Sequence, residues 1–186
     1  DTKSRIKISE DYKDLETKNF IIEAIYEDLD IKSEALKTAE KFIKPNGIIA
    51  SNTSTIPISI LASKIKNSER FIGIHFFSPV HKMKLVEIIK ANSTSFSTLE
   101  KALNFTKAIT KTPIVVNDSP GFYTTRVFIK YPCEGMVMLS EGIKAISIEN
   151  AGKKAGYPVG PLALSDEVNI ELIGRIRKQI LKYDKS

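Results

Sequence analysis

The chain has 186 residues, 42% of them hydrophobic, and its 28 Lys and Arg outweigh 22 Asp and Glu to give a formal net charge of +6. That size and composition support a sizeable core in one domain or one and a half. No stretch approaches the roughly twenty apolar residues of a membrane span, and the opening Asp1-Thr2-Lys3-Ser4-Arg5 has no apolar signal region. The lysines alternate with Glu and Asp, with no aromatic-studded basic stripe, so a solvated surface is expected and no nucleic-acid partner. Cys133 is the single cysteine. It can form no internal disulfide and has no neighbours at metal-ligand spacing, so no metal is expected and a reducing compartment fits.

In chain order, Asn19–Ile25 (Asn-Phe-Ile-Ile-Glu-Ala-Ile) predicts a buried strand. Residues 30–43 have helical spacing through Ile31, Ala35, Leu36, Ala39 and Phe42, with Asp30 placed to cap them. Strand then helix is the start of a βαβ unit. Pro45-Asn46-Gly47 ends the helix, Ile48-Ile49-Ala50 returns as a strand, Ser54–Lys64 carries a short helix, and 71–76 is again a strand. The expectation is an α/β fold with parallel strands. A strand follows over 83–89, then a helix over 96–109 and a strand over 113–116. The texture changes at Asp118-Ser119-Pro120-Gly121. Beyond it only helices are predicted, over 122–141, 147–155 and 161–182. The expected domains are therefore 1–118 and 119–186.

One segment carries a chemical clue. Residues 73–87 place His75 between bulky apolar neighbours and Glu87 in the next apolar run. If 71–76 and 83–89 are adjacent strands joined by the Ser-Pro-Val-His turn, the two side chains meet at one end of the sheet. A carboxylate accepting from one imidazole nitrogen fixes the tautomer, makes the other nitrogen the basic one, and stabilises the imidazolium once a proton has been taken. The competing reading is a core histidine with its hydrogen bonds satisfied.

Seven segments stand in a telling order: Ile22-Glu23-Ala24-Ile25-Tyr26-Glu27-Asp28-Leu29, Ala50-Ser51-Asn52-Thr53-Ser54, the His75 segment, Lys84-Leu85-Val86-Glu87, Pro120-Gly121-Phe122, Gly156-Tyr157-Pro158-Val159-Gly160-Pro161 and Asp166-Glu167-Val168. Together they resemble the 3-hydroxyacyl-CoA dehydrogenase family, and more closely the dehydrogenase portion of the multifunctional fatty acid oxidation complex α subunit. The resemblance implies a partial Rossmann-like doubly wound sheet followed by an all-helical C-terminal domain. It implies NAD as cofactor, an acyl-CoA substrate, and oxidation of (S)-3-hydroxyacyl-CoA to 3-ketoacyl-CoA in fatty acid β-oxidation.

Carried over residue by residue, His75 matches the catalytic histidine and Glu87 the carboxylate that orients it. Ser54 matches a serine near both the reacting hydroxyl and the nicotinamide. Ile25, Tyr26 and Glu27, with Lys32, match the cofactor-contacting turn at the carboxyl end of a strand, and Asn52 falls in the same cleft. Without the resemblance, Ser54 reads as a helix N-cap, Glu27 and Lys32 as a solvated pair, and Asn52 as a turn residue. Ser78 stands where many members have a cofactor-contacting Asn. Thr125 stands where many have Asn, and its hydroxyl can still bond near the acyl thioester.

The family opens with a strand, a Gly-x-Gly-x-x-Gly turn and a helix, whereas the first glycine here is Gly47. The chain therefore reads as a fragment: a split gene product, a degraded copy or a piece of a longer protein, its helical domain truncated. Loss of the first strand should expose apolar edges of its neighbours. The alternatives are a catalytically inactive remnant, or an assembly module that self-associates or packs on a second helical domain through 122–182. The compartment expected is the bacterial cytoplasm or a mitochondrial matrix.

Overall fold

Runs of β-branched residues and capped helices build a five-stranded sheet in the computed structural model, which describes residues 3–168 and 170–183. The strands are β1 (Phe20–Glu23), β2 (Ile48–Ser51), β3 (Phe71–Phe76), β4 (Leu85–Lys90) and β5 (Thr112–Asn117), and their spatial order follows the sequence. Helices α1 (Leu29–Phe42) and α2 (Ile58–Ala62) connect β1, β2 and β3, which run parallel. β4 reverses against β3, and β5 follows parallel to β4 after α3 (Phe96–Ala108). The fold is α/β and Rossmann-like with one antiparallel pairing. The reversal has a simple cause: residues 77–84 are fewer than the dozen or so that a parallel crossover needs.

Side chains alternate across each strand, so residues opposed in register share a face. Ile72 and Ile74 join Val86, Ile88, Ile48, Ala50 and Ala102 in a buried cluster, against which Leu99, Leu103 and Phe105 of α3 pack. The other face of β3 carries Phe71, Gly73 and His75. A Cβ on Gly73 would lie 2.7 Å from Ile58, so glycine is what allows α2 to approach the strand. His75 follows two residues later, near the carboxyl end of the parallel strands and opposite Glu87 in the ladder.

Several boundaries differ from expectation, each for a local reason. Asp28, rather than Asp30, caps α1, its carboxylate accepting from Asp30 and Ile31 N–H at 2.9 and 3.0 Å. α2 is shorter than predicted because residues 53–55 are drawn into hydrogen bonds with Glu27. Its free N–H groups at Ile58 and Ser59 are taken by the two oxygens of Asp118 at 2.8 and 2.7 Å. Ser54 is therefore not an N-cap. β4 starts at Leu85, since Met83 N–H closes back onto Pro79 C=O.

The chain divides after Asp118 into two units, and the second contains α4 (Thr124–Ser140), α5 (Ala145–Lys154), α6 (Pro161–Glu167) and α7 (Ile170–Tyr183). The single helix predicted over 161–182 is thus interrupted: α6 ends at Glu167 and Val168 closes its last turn. Two carboxylates, Asp166 and Glu167, at the negative end of a helix dipole favour that stop. In this unit a Cβ on Gly135 or Gly152 would meet Pro161 at 2.6 and 3.0 Å, so the two glycines make the notch that seats α6. Tyr131 stacks on Tyr157 at 3.9 Å and donates to Val159 C=O at 2.8 Å. Glu149 caps α6 through the Leu162 and Ala163 amides.

α3 ends in a Schellman turn, with Lys111 N–H reaching Thr106 C=O and Thr110 N–H reaching Lys107 C=O. The residue that must adopt the left-handed conformation there is Thr110, at φ 60°. Glycine fits this position and a β-branched residue does not. Replacing Thr110 by Gly is expected to stabilise the fold by about 1 kcal/mol, the left-handed penalty less the flexibility glycine adds to the unfolded chain. Urea denaturation checks it, and a loss of stability would contradict the strain argument.

Candidate active site

His75 and Glu87 are directly opposed across the antiparallel β3–β4 pair, and His75 Nδ1 lies 3.0 Å from Glu87 Oε2. Glu87 is fully buried and His75 is 8% exposed, its ring tilted against Phe77 at 4.6 Å. With the carboxylate accepting at Nδ1, the proton of the neutral ring resides there and Nε2 is the basic nitrogen. The reading of adjacent strands joined by a short turn is what the structure shows. The turn is held by Lys111, whose ammonium donates to Val80 C=O and, at 2.7 Å, to Met83 C=O. Ser78 lies exposed in this turn.

A second cluster gathers at the carboxyl ends of β1 and β2. Glu23, the last residue of β1, accepts from Ser51 Oγ at 2.6 Å, from Ile25 N–H at 2.8 Å and from Lys32 Nζ at 2.7 Å. Lys32 also donates to Ile25 C=O at 3.1 Å and pairs with Glu27 Oε2 at 3.2 Å. Glu27 Oε1 accepts from the Thr53 hydroxyl, the Ser54 and Thr55 amides and the Thr55 hydroxyl. Burial pushes the Glu27 carboxyl up. The Thr53 hydroxyl, the Lys32 charge and the Thr55 hydroxyl more than offset that and hold it below its ordinary value of 4.5.

Read without the resemblance, Glu27 and Lys32 form a solvated pair; the structure instead buries the Lys32 side chain, 1% exposed, and leaves Glu27 27% exposed. Sequence reasoning also missed Glu23, Ser51, Thr53 and Thr55. A signal for Lys32 existed: it precedes the buried Leu36 by four and Ala39 by seven, the spacing of one helix face.

The remaining expected residues fall as follows. Asn52 accepts from Phe76 N–H at 2.9 Å, tying the end of β2 to the end of β3 one residue past Ser51, the register partner of Gly73. Ser54 is half-buried with its amide fixed by Glu27. Ile25 and Tyr26 are exposed at 44% and 73% just beyond β1. Thr125 belongs to the second unit, buried in the first turn of α4. Ahead of it, Gly121 and Phe122 both adopt positive φ, 71° and 50°. Among the described residues, no group of His, Cys, Asp and Glu is arranged to hold a metal ion.

Residues 1–119 match the NAD binding domain of 3-hydroxyacyl-CoA dehydrogenase, and residues 121–185 match the C-terminal domain of the same family. The chain belongs to the 3-hydroxyacyl-CoA dehydrogenase family. It is 37% identical to (S)-3-hydroxybutyryl-CoA dehydrogenase PaaH1 from Ralstonia eutropha, over 97% of this chain and 64% of that one, with a TM-score of 0.93. FadB2 from M. tuberculosis matches at 28% identity over 96% and 64% of the two chains, with a TM-score of 0.90. A 3-hydroxybutyryl-CoA dehydrogenase from Escherichia coli matches at 30% identity over 94% and 38%, with a TM-score of 0.87. The chain thus spans less than two thirds of the length of each of these relatives. No helix among the described residues is long and apolar enough to cross a membrane.

Within this member of the 3-hydroxyacyl-CoA dehydrogenase family, Glu27 makes a pH-dependent contribution to stability. Its folded pKa lies below the unfolded one, so its contribution is fully present above its ordinary 4.5 and is lost as pH falls through the folded value. Glu27→Gln should therefore lower stability at neutral pH and flatten its fall below that range. Chemical denaturation from roughly pH 7 down to about pH 3 measures this. A variant whose acid profile parallels the parent's would contradict it.

Proposed function

We propose that this chain carries the acid–base centre of an NAD-dependent dehydrogenase that oxidises (S)-3-hydroxyacyl-CoA to 3-ketoacyl-CoA in fatty acid β-oxidation. The observation that supports it best is the 3.0 Å contact between His75 Nδ1 and the buried Glu87 carboxylate near the carboxyl end of the parallel strands, where doubly wound sheets bind dinucleotides. We assign residues 1–118 to a partial NAD-binding domain and 119–186 to a helical C-terminal dehydrogenase domain.

In this reading His75 Nε2 takes the proton of the 3-hydroxyl while Glu87 holds the ring and stabilises the imidazolium. For ketone reduction the same nitrogen returns the proton. NAD supplies the acceptor for the hydride that leaves C3. The half-buried Ser54 hydroxyl both donates and accepts, which suits the substrate oxygen as its charge changes. Asn52 keeps the end of β3, and so His75, in place through Phe76 N–H. The fit to a dinucleotide rests on the exposed Ile25 and Tyr26 beside the rigid Glu27 turn, with Asn52, Ser54 and Ser78 offering polar contacts. Thr125 is assigned to the acyl-CoA substrate.

A second reading is a non-catalytic piece of such an enzyme. Exposed Val127, Val137, Leu139 and Ile146 of the helical unit support self-association or docking on a second helical domain. A reducing interior, bacterial cytoplasm or mitochondrial matrix, suits a chain whose single cysteine is free.

NADH oxidation with acetoacetyl-CoA, run on the parent and on His75→Gln, separates these readings. Activity that falls on the order of a hundredfold or more in the variant supports the acid–base assignment. Activity retained in the variant overturns it. Absence of saturable NADH binding by the parent selects the non-catalytic reading, and a strictly monomeric chain in sedimentation removes the assembly role.

A further inference from the structure

We propose that Lys111 is a positioning residue: its ammonium clamps the turn between β3 and β4, and so holds Ser78 in place for the cofactor. The consequence for the cofactor rests on the functional reading above, and the hold on the turn rests on geometry alone.

Residues 77–84 leave β3 and re-enter the sheet as β4. Within them, the Lys82 and Met83 amides both donate to Pro79 C=O, at 2.9 and 3.1 Å. Two donors converging on one carbonyl close the loop at a single point. The next backbone anchor is Thr112 N–H on Lys84 C=O at 2.8 Å, where the pairing with β5 begins. Lys111 fills the interval, its ammonium donating to Val80 C=O and, at 2.7 Å, to Met83 C=O. Hydrogen bonds from a charged donor are stronger than neutral ones, and here one donor group spans the turn. The lysine is itself fixed at its base. Its own N–H reaches Thr106 C=O at 3.1 Å in the turn that closes α3, directly after Thr110 at φ 60°. Among the described residues no carboxylate forms an ion pair with it, so its charge is directed at the two turn carbonyls.

Ser78 lies between two anchors. On one side Asn52 holds Phe76 N–H. On the other, Pro79 opens the loop that Lys111 clamps. His75 needs neither, because the β3–β4 ladder and Glu87 already set it. Loosening the turn therefore frees Ser78 while the imidazole stays where it is. The expected effect of Lys111 falls on cofactor binding and not on proton transfer.

NMR relaxation on the full chain, comparing the parent with Lys111→Met and Lys111→Arg, tests the clamp. Methionine has a similar unbranched stem and no donor, whereas arginine carries enough donors for both carbonyls. Backbone amide order parameters at Ser78, Val80 and Lys82 are expected to fall from about 0.85, the rigid range, toward about 0.6 in Lys111→Met, and to stay near the parent's in Lys111→Arg. Ile72 and Ile88 in the sheet should not change. Unchanged order in the turn, or a loss spread evenly over β3 and β4, overturns the clamp.

Steady-state NADH oxidation with acetoacetyl-CoA is the second readout. Lys111→Met should raise the KM for NADH by roughly tenfold, the scale of ordering one backbone residue at the moment of binding, and leave kcat close to the parent's. Lys111→Arg should restore the KM. A lowered kcat at unchanged KM overturns the assignment to Ser78 and the cofactor. A raised KM with the turn still ordered makes Lys111 a direct ligand and overturns the positioning role. If the parent oxidises no NADH, the functional reading fails, and the order parameters alone decide whether Lys111 holds the turn.

Discussion

One buried ammonium organises the carboxyl ends of β1 and β2. Lys32 is held between the carboxylates of Glu23 and Glu27 with almost no access to water. Withdrawing such charges from water costs several kcal/mol per ion, which is recovered only when geometry and hydrogen bonding are close to complete. Here each carboxylate oxygen of Glu23 and Glu27 has a donor, and no buried side-chain N or O among the described residues lacks a partner. The charges therefore specify one arrangement of the turn rather than merely tolerating burial. A hydrophobic replacement could match the packing and still leave the Thr53–Thr55 donors without a common acceptor.

The contact between His75 and Glu87 is supported differently. His75 and Glu87 sit on regular strands, at opposed positions in a ladder whose register is pinned by the buried Ile72, Ile74, Val86 and Ile88 on the reverse face. A slip of one residue would turn all of these to the wrong side. Packing of the core and placement of the imidazole are thus the same constraint seen from two faces of the sheet. Asn52 links the two devices, since it follows β2 and holds the amide of Phe76 next to His75.

Much of this was legible in the residues and part was not. Strand β3 was read to its ends, and the His75–Glu87 meeting followed from alternation and a short turn, because both are local properties. The extent of α2 was not legible, since Asp118 reaches its amides from about sixty positions away and Glu27 draws residues 53–55 out of the helix. The burial of Lys32 was not read, although its spacing relative to Leu36 and Ala39 puts it on the packed face. The break between α6 and α7 was hidden by apolar spacing that continues through Asp166 and Glu167.

The reversal of β4 has a consequence for the order in which the parts can assemble. It brings the histidine and its carboxylate together across a separation of 12 residues, whereas Asp118 and Ile58 must close 60. On loop-closure entropy alone the shorter connection is favoured by about 1.4 kcal/mol. The His75–Glu87 pair thus needs only a short connection to close, while the turn bearing Ser54 waits for crossovers and for distant capping. The His75–Glu87 contact and the turn bearing Ser54 thus rest on segments of different contact order, so damage upstream of β3 reaches that turn before it reaches the imidazole.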